Sequence, residues 1–353
     1  MNNKSQDTDQ LSILLSEKQP DTITYSKSIF YLLTKNLPSD YSSKAEVKND
    51  NLLVPYTIIK KSKIAKEQNA KEIVLLASER PDRNTAVRST LDLWGLSSYV
   101  DYLYTTAELS FLEGLTPIFE GGFLSPSELK KISEILAFLK ILVPSTSLKY
   151  YETKYNKEFA QKYYDIRLKM LEWAGKLHVP IISGLIIGED TNNDTFKATI
   201  DKVCEYQQKY KNIHSISIQS EALLTTGKPS KKSDTLLIKA IEHLKKANIT
   251  STLSTPPIHM HCMDRFIDAG IRDFGSIPIN PGVLFPNISA PDFDDIATNV
   301  RAKGLSFKQR LPIKYDFIKD GFYSKKLGQV FDSYKYKIKK YEQEKTKDAK
   351  LAS

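Results

Sequence analysis

The fold of this chain is decided by residues 179–190, which read Val-Pro-Ile-Ile-Ser-Gly-Leu-Ile-Ile-Gly-Glu-Asp. The branched apolar residues show no polar alternation, so they predict a strand that is buried on both faces. The polar end of the stretch predicts a loop that leads into the N-cap of a helix. Ligands bind beyond the carboxyl ends of the strands in parallel α/β sheets. We therefore expect Gly188 and Glu189 to lie close to any pocket.

Strand-like and helical segments alternate on both sides of this stretch. The predicted strands are 23–33, 73–77, 116–122, 141–144, 179–188, 213–218, 250–254 and 273–277. The predicted helices are 85–94, 125–139, 159–177, 194–210, 234–247 and 260–269. Such alternation predicts βα units around a parallel sheet, and their number favours a full or partial (β/α) barrel over a short doubly wound sheet.

The chain has 353 residues, enough for one barrel-sized domain. We predict a polar N-terminal tail over 1–20, a barrel over 21–324 and a lysine-rich C-terminal helix or tail over 325–353. Residues 325–350 hold nine lysines against four acidic residues, more than half of the net charge of +9. We interpret this charge as a solvated helix face, with a polyanion or protein partner as the alternative. Because the rest of the chain is close to balanced, we do not expect nucleic-acid binding.

The sequence also predicts where the protein resides. No apolar run reaches the ~18 residues that a membrane-spanning helix requires. The polar N-terminus lacks the basic-then-apolar layout of a signal peptide. The two cysteines, Cys204 and Cys262, are too few for a disulfide framework. These features predict a cytoplasmic protein that does not bind a membrane.

Short segments along the chain carry a family resemblance. They are 23–27, 79–82, 114–117, 122–125, 150–153, 167, 174–175, 180–189, 218–219, 256–257, 269–275 and 280–281. In order and spacing they resemble the small subunit of 7,8-didemethyl-8-hydroxy-5-deazariboflavin (FO) synthase, CofG, a radical S-adenosylmethionine enzyme of F420 biosynthesis. The resemblance covers about residues 22–287. It implies an α/β fold, a partial (β/α)6 TIM-type barrel with a C-terminal helical extension, and a pocket at the carboxyl ends of the strands.

The resemblance breaks at the cysteines that hold the family's [4Fe–4S] cluster, spaced Cys-x3-Cys-x2-Cys after the first strand. Thiolates are the soft, anionic ligands that such clusters require. Matching Asn36 and Leu37 to the family's Asn-Leu places Pro38, Ser42 and Ala45 at the three ligand positions. None of these side chains is a usual cluster ligand. We therefore expect no cluster, and no electron donor for the reductive cleavage of S-adenosylmethionine.

Two charged residues are candidate contacts for S-adenosylmethionine. The resemblance implies that Glu152 hydrogen-bonds the ribose hydroxyls of a bound nucleoside, and a surface carboxylate is the alternative. Arg167 could pair with a ligand carboxylate. It could equally form a salt bridge with Asp165 or Glu172 on its own helix.

Four further residues complete the predicted ligand site. Glu79 lies in the turn after the second strand, where it could contact the cofactor or form a structural pair with Arg80. Gly184 and Gly188 could let a ligand approach the backbone, or they could serve tight turns. Glu189 follows Gly188 at the end of the central strand. We assign no catalytic residue.

His259, His261 and Cys262 are of the residue types that bind zinc. The segment is predicted to begin a helix, in which residues two apart point in different directions. A fourth ligand is not evident, so we predict no metal site.

These observations favour a degenerate radical S-adenosylmethionine protein. It would lack the cluster and be non-catalytic, a pseudoenzyme, or be re-purposed to bind S-adenosylmethionine or another small molecule, or to support a partner such as a CofH-like subunit. One alternative is a divergent but active FO synthase subunit. Another is a binding or scaffold protein that acts through its basic C-terminal helix.

Overall fold

The computed structural model describes residues 12–13, 15–34, 52–144, 152, 157–188, 193–226, 228–247, 249–280 and 292–351. No helix in this part of the chain is long and apolar enough to cross a membrane.

Nine strands form one sheet. They are β1 (Thr22–Leu32), β2 (Glu72–Leu76), β3 (Thr116–Glu120), β4 (Phe138–Pro144), β5 (Ile181–Ile187), β6 (Ile213–Ser220), β7 (Thr252–Ser254), β8 (Asp273–Pro278) and β9 (Ser306–Gln309). Every pairing between them is parallel, and β1 to β8 follow one another around the sheet in chain order. Strand β5, from the stretch quoted first, lies between β4 and β6, as its continuous apolar sequence predicts.

The sheet closes into a barrel because β1 pairs on both of its edges. Residues 28–32 of β1 pair with β2, and residues 24–28 pair with β8. The short strand β9 pairs with residues 22–25 of β1. The partial (β/α)6 barrel implied by the family resemblance is therefore not confirmed, since eight parallel strands complete the circle. Closure depends on β7, which has three residues and pairs with β8 only between Ser254 and Asp273.

Twelve helices lie in the described part of the chain. They are α1 (Pro55–Glu67), α2 (Thr85–Leu93), α3 (Tyr99–Leu112), α4 (Pro126–Ile132), α5 (Lys157–Lys176), α6 (Asn193–Tyr210), α7 (Glu221–Thr226), α8 (Lys231–Lys246), α9 (Met263–Ala269), α10 (Phe293–Ala302), α11 (Tyr315–Asp320) and α12 (Lys325–Leu351). Short 3-10 turns occupy Ser16–Lys18, Pro81–Arg83 and Pro257–Cys262.

The predicted helix 125–139 is wrong in its second half. A capping box between Ser125 and Glu128 starts α4, but the helix ends at Ile132 and β4 begins at Phe138. In β4, Leu139 packs toward the surrounding helices and Phe138 packs toward the barrel interior. This two-residue alternation suits a strand in the sheet, and it overrides the helical pattern.

The floor of the barrel, at the amino ends of the strands, is filled by the C-terminal part of the chain. Leu311 and Ile313, which follow β9, join an inner apolar cluster with Val74 of β2 and Phe138 of β4. His214 of β6 lies in the same region, with its ring centre 4.0 Å from that of Phe138. Side chains of the last segment thus plug one end of the barrel.

Helix α12 is part of this plug. Its residues Leu327, Phe331 and Ile338 are almost fully buried, and they pack in the same inner cluster. Lys326 forms an ion pair with Glu108 of α3. The lysine-rich segment therefore covers the barrel floor with one face. The predicted domain boundaries at residues 20 and 324 stay predictions.

A buried ion pair crosses the barrel floor. Arg310 Nε lies 2.6 Å from Asp273 Oδ2, and the two side chains are 3% and 0% exposed. The carboxylate also accepts hydrogen bonds from Thr24 Oγ1 at 2.6 Å and from the backbone N–H of Gly275 at 2.7 Å. Burial by itself would raise the pKa of the Asp273 carboxyl, but the Arg310 and Lys314 cations outweigh it and hold this pKa well below its usual range.

His214 stays neutral beside these cations. Its Nε2 accepts a hydrogen bond of 3.0 Å from the backbone N–H of Lys314. Burial lowers the pKa of His214 well below its usual value, and the nearby positive charges of Lys314 and Arg310 lower it further.

Candidate ligand site at the carboxyl end of the barrel

The carboxyl end of β2 is tied to helix α5 by an ion pair. Glu79 follows β2 by three residues, and its Oε1 lies 3.3 Å from Arg167 Nη2. Arg167 also donates from Nη1 to the backbone carbonyl of Leu142 in β4, at 2.9 Å. Both charged residues are 7% exposed. Buried groups in such a pair fix the positions of the segments that carry them, because separating the charges leaves one of them uncompensated.

Arg167 therefore does not form either of the salt bridges that its own helix could offer. Asp165 accepts a hydrogen bond from Gln161, and Glu172 pairs with Lys176. Glu79 was predicted from the sequence as a candidate, but its contact with Arg167 was not, because the two residues are 88 positions apart.

Arg80 does not pair with Glu79, although the sequence suggested that it could. Its guanidinium contacts Asp82 at 2.5 Å and Glu128 at 3.0 Å, and it donates to the backbone carbonyl of Phe123 at 3.1 Å. Glu79 thus faces α5, whereas Arg80 reaches Glu128 of α4 and the loop after β3.

Two glycines after β3 allow this loop to pack on the Glu79 turn. A side-chain carbon at Gly122 would overlap the backbone carbonyl of Glu79, and one at Gly121 would press on the ring of Phe119. The backbone N–H of Phe123 donates to the Glu79 carbonyl at 3.2 Å. The close approach therefore requires glycine at residue 122.

A second charged pair lies further inside the barrel mouth and was not predicted. Lys140 Nζ of β4 is 2.8 Å from Glu120 Oε1 at the end of β3, and the side chains are 15% and 4% exposed. The signal in the sequence is a lysine inside an apolar strand, between Leu139 and Ile141. Because side chains alternate along a strand, Lys140 must face the interior when its neighbours face the helices.

Strand β6 contributes uncharged polar groups to the same interior. Ser217 and Gln219 alternate with Ile216 and Ile218, which pack in the outer apolar cluster. Gln219 Nε2 donates to Ser217 Oγ at 2.9 Å. Charged groups of β3 and β4 and uncharged hydrogen-bonding groups of β6 thus line the barrel interior on either side of β5, an arrangement that suits a polar small molecule.

The predicted glycines lie against protein atoms. A side-chain carbon at Gly184 would meet the backbone carbonyl of Ser217 and the side chain of Leu142. At Gly188, just beyond β5, it would meet the carboxylate of Glu221. These contacts support the interpretation that Gly184 allows close strand packing, and they place Gly188 beside an acidic residue at the barrel mouth.

The remaining predicted ligand residues have different outcomes. Glu152 is exposed, which fits a ribose contact and a surface carboxylate alike, so its role stays a prediction. Glu189 lies outside the described residues, as do the three positions matched to the cluster cysteines, Pro38, Ser42 and Ala45.

A cleft adjoins the Glu79 turn on the outer side of the barrel. It has a volume of about 290 Å³ and is lined by three cationic and three aromatic residues, Arg80, Arg83, Lys162, Phe123, Tyr163 and Trp173, among others. The rings of Phe123 and Tyr163 are 5.0 Å apart. The Arg167 guanidinium lies 5.8 Å from the centre of the Phe123 ring, so a wall of the cleft packs beside the buried ion pair.

The family resemblance implies two cofactors, a [4Fe–4S] cluster and S-adenosylmethionine, and the residues present suit only the second of them in part. A [4Fe–4S] cluster does not fit, because the sequence holds only Cys204 and Cys262, each buried, where three thiolates are needed. S-adenosylmethionine fits in part. Glu152 is open to a ribose, whereas the guanidinium of Arg167 already donates to Glu79 and Leu142.

Comparison with known proteins supports the family resemblance, although no model of a protein family matches the chain. The chain is 25% identical over 310 residues to the 7,8-didemethyl-8-hydroxy-5-deazariboflavin synthase of Methanothermobacter thermautotrophicus, covering 86% of this chain and 94% of that protein. It is 25% identical over 328 residues to the enzyme of the same name from Methanocaldococcus jannaschii, covering 90% of this chain and 91% of the relative.

A solved structure with the same fold is HydG, a maturase of the [FeFe]-hydrogenase. It matches with a TM-score of 0.63 at 12% identity, over 94% of this chain and 75% of HydG. The resemblance inferred from short segments is thus confirmed: over most of its length the chain is similar to the FO synthases, and it shares its barrel fold with HydG.

Proposed function

We propose that this protein is a degenerate relative of the FO synthase small subunit that has lost the [4Fe–4S] cluster. The observation that carries the proposal is the cysteine content, since two cysteines cannot supply three cluster thiolates. Without a cluster, the chain has no electron donor for the radical step. It is then non-catalytic or re-purposed.

The retained activity in this proposal is small-molecule binding at the carboxyl end of the barrel, with S-adenosylmethionine as the first candidate ligand. The ion pairs Glu79–Arg167 and Glu120–Lys140 hold the strand ends that surround this mouth. The exposed Glu152 supplies a hydrogen-bond acceptor for ribose hydroxyls. Gly188 and Glu189 would complete the rim beyond β5.

Two measurements on the purified protein test this proposal. The first is anaerobic reconstitution with iron and sulfide, followed by analysis of bound iron and of visible absorption. We expect no stoichiometric cluster, and a full complement of four iron atoms per chain would overturn the proposed loss.

The second measurement is calorimetric titration with S-adenosylmethionine. Glu152→Ala should weaken binding by about tenfold, the cost of a hydrogen bond to a charged group. Glu134→Ala is the matched control, because Glu134 is also exposed but precedes β4 and so lies toward the opposite end of the barrel. No binding at millimolar ligand, or an equal loss in both variants, would contradict the proposed site.

The alternative is an active FO synthase subunit. It is supported by the length of the alignment, which covers 94% of the Methanothermobacter thermautotrophicus relative. The relevant partner is then a CofH-like subunit. Deazaflavin formation by the reconstituted pair would establish this alternative, and its absence alongside an active control subunit would dismiss it.

A scaffold role rests on the exposed lysines of α12, including Lys339 and Lys340. Deleting the helix is not a clean test, because its apolar face covers the barrel floor. Replacing Lys339 and Lys340 by glutamine should abolish capture of a CofH-like subunit if the basic face is the contact. The same change at Lys60 and Lys61, exposed on α1, is the charge-matched control. Equal capture of the CofH-like subunit by both variants would rule out this role.

A cytoplasmic location stays a prediction.

A further inference from the structure

The turn after β7 brings a histidine and a cysteine against helix α8. His261 Nε2 lies 2.8 Å from Asp234 Oδ2. One potential ligand atom from each of Asp234, His261 and Cys262 lies within 4.8 Å of the other two. The sequence suggested His259, His261 and Cys262 but not Asp234, which comes 27 positions before His261. The tertiary structure supplies the third donor from the adjacent helix.

Three buried polar atoms at or beside this cluster have no hydrogen-bond partner within the described part of the chain, whereas the Cys262 thiol donates to the backbone carbonyl of His259 at 3.5 Å. Asp234 is 4% exposed, and its second carboxylate oxygen, Oδ1, accepts no hydrogen bond there. His259 is 2% exposed, and both of its ring nitrogens are likewise unpaired among those residues. Leaving a buried polar group unpaired costs about 1–3 kcal/mol, so such groups call for a missing ligand or ion.

We propose that Asp234, His261 and Cys262 bind a zinc-class divalent cation. A thiolate, an imidazole and a carboxylate are ligands of Zn²⁺ and Co²⁺, whereas Mg²⁺ and Ca²⁺ prefer oxygen ligands alone. The His261 side chain is 32% exposed, so water can reach a fourth coordination position. A further imidazole lies close by: the ring centre of His259 is 6.3 Å from that of His261.

The cation would pin the turn Pro257–Cys262 to the first helical turn of α8. The first turn of α8 begins at Lys231, after the N-cap residue Ser230, and it includes Asp234. The turn Pro257–Cys262 connects β7 to α9, and β7 is the shortest strand of the barrel as described. A metal link at this place would stabilise the segment where the sheet is weakest. This inference does not depend on the proposed function, because the residues matched to the iron–sulfur cluster ligands and those proposed to bind S-adenosylmethionine are different from Asp234, His261 and Cys262.

Cobalt titration of the chelator-treated, reduced protein tests the site. Co²⁺ bound by a thiolate gives a near-ultraviolet charge-transfer band, and tetrahedral Co²⁺ gives strong visible bands. We expect one Co²⁺ per chain, displaced by Zn²⁺. Cys262→Ser should remove the charge-transfer band, and His261→Ala should weaken binding at least ~10-fold.

Matched controls exist for both substitutions. Cys204→Ser changes the other buried thiol, which lies on α6. His243→Ala removes another histidine that contacts an aspartate, Asp201, at 3.1 Å. Both variants should bind Co²⁺ like the wild type. Absence of the charge-transfer band in folded wild-type protein would overturn the proposal, and so would its persistence in Cys262→Ser.

Discussion

Replacing Arg310 by methionine should strongly destabilise the barrel, and the structure indicates by how much. Arg310 contacts both oxygens of Asp273, at 2.6 and 3.3 Å, on the buried barrel floor. Methionine keeps most of the side-chain volume but removes the positive charge. The substitution therefore removes the cation that contacts the fully buried Asp273 carboxylate and leaves only the charge of Lys314, which makes no direct ion pair with it among the described residues.

The expected loss is set by this uncompensated charge. Breaking a buried ion pair by removing one partner costs about 3–5 kcal/mol of unfolding free energy. Two unit charges 4 Å apart interact by about 4 kcal/mol at an effective dielectric constant of 20, which is consistent with that range. Thr24 and Gly275 still donate hydrogen bonds to the carboxylate, so we expect about 3 kcal/mol.

Urea unfolding followed by circular dichroism measures this loss. In the double variant Arg310→Met/Asp273→Asn, neither member of the pair keeps a charge that has lost this partner, so the two effects should not add. We expect a coupling free energy of about 2 kcal/mol between the two sites. Arg301→Met is the matched control, because Arg301 is exposed on α10, and it should change stability by less than about 0.5 kcal/mol.

Two results would refute the reasoning. One is a loss below about 1 kcal/mol for Arg310→Met, which would mean that water reaches the carboxylate. The other is strict additivity in the double variant, which would mean that the two charges do not interact.

Three further predictions concern the floor and the loops. The pKa of His214 in the folded protein lies below its unfolded value of ~6.5, so the stability that neutral His214 contributes is complete above that pH and falls by up to ~1.4 kcal/mol per pH unit below it. His214→Gln should therefore flatten the acid side of a curve of unfolding free energy against pH. An unchanged curve would contradict a buried neutral histidine. Gly122→Ala should cost at least about 1–3 kcal/mol in urea unfolding, because its methyl group would overlap the Glu79 carbonyl, whereas Gly328→Ala inside α12 should be neutral or stabilise by up to ~1 kcal/mol. Phe331→Ala should cost about 3–5 kcal/mol by the same measurement if α12 is part of the core, and a loss below about 1 kcal/mol would show that the helix is a detachable tail.

The sequence by itself determined the class of fold and the limits on chemistry. The continuous apolar stretch that forms β5 required a strand covered on both faces, and a parallel α/β sheet meets that requirement. The cysteine count excluded a three-thiolate cluster without any knowledge of the structure. Both conclusions depend on local composition and periodicity, which the sequence displays directly.

Only the tertiary structure decided which residues meet. The pairs Glu79–Arg167 and Asp234–His261, and the plug formed by α12, join positions far apart in the chain. Periodicity shows which face of an element is buried, but it does not show which other element covers that face. The sequence predicted a strand at 250–254 but left a full and a partial barrel open; closure was decided by the pairings of the three-residue strand β7 with β6 and β8.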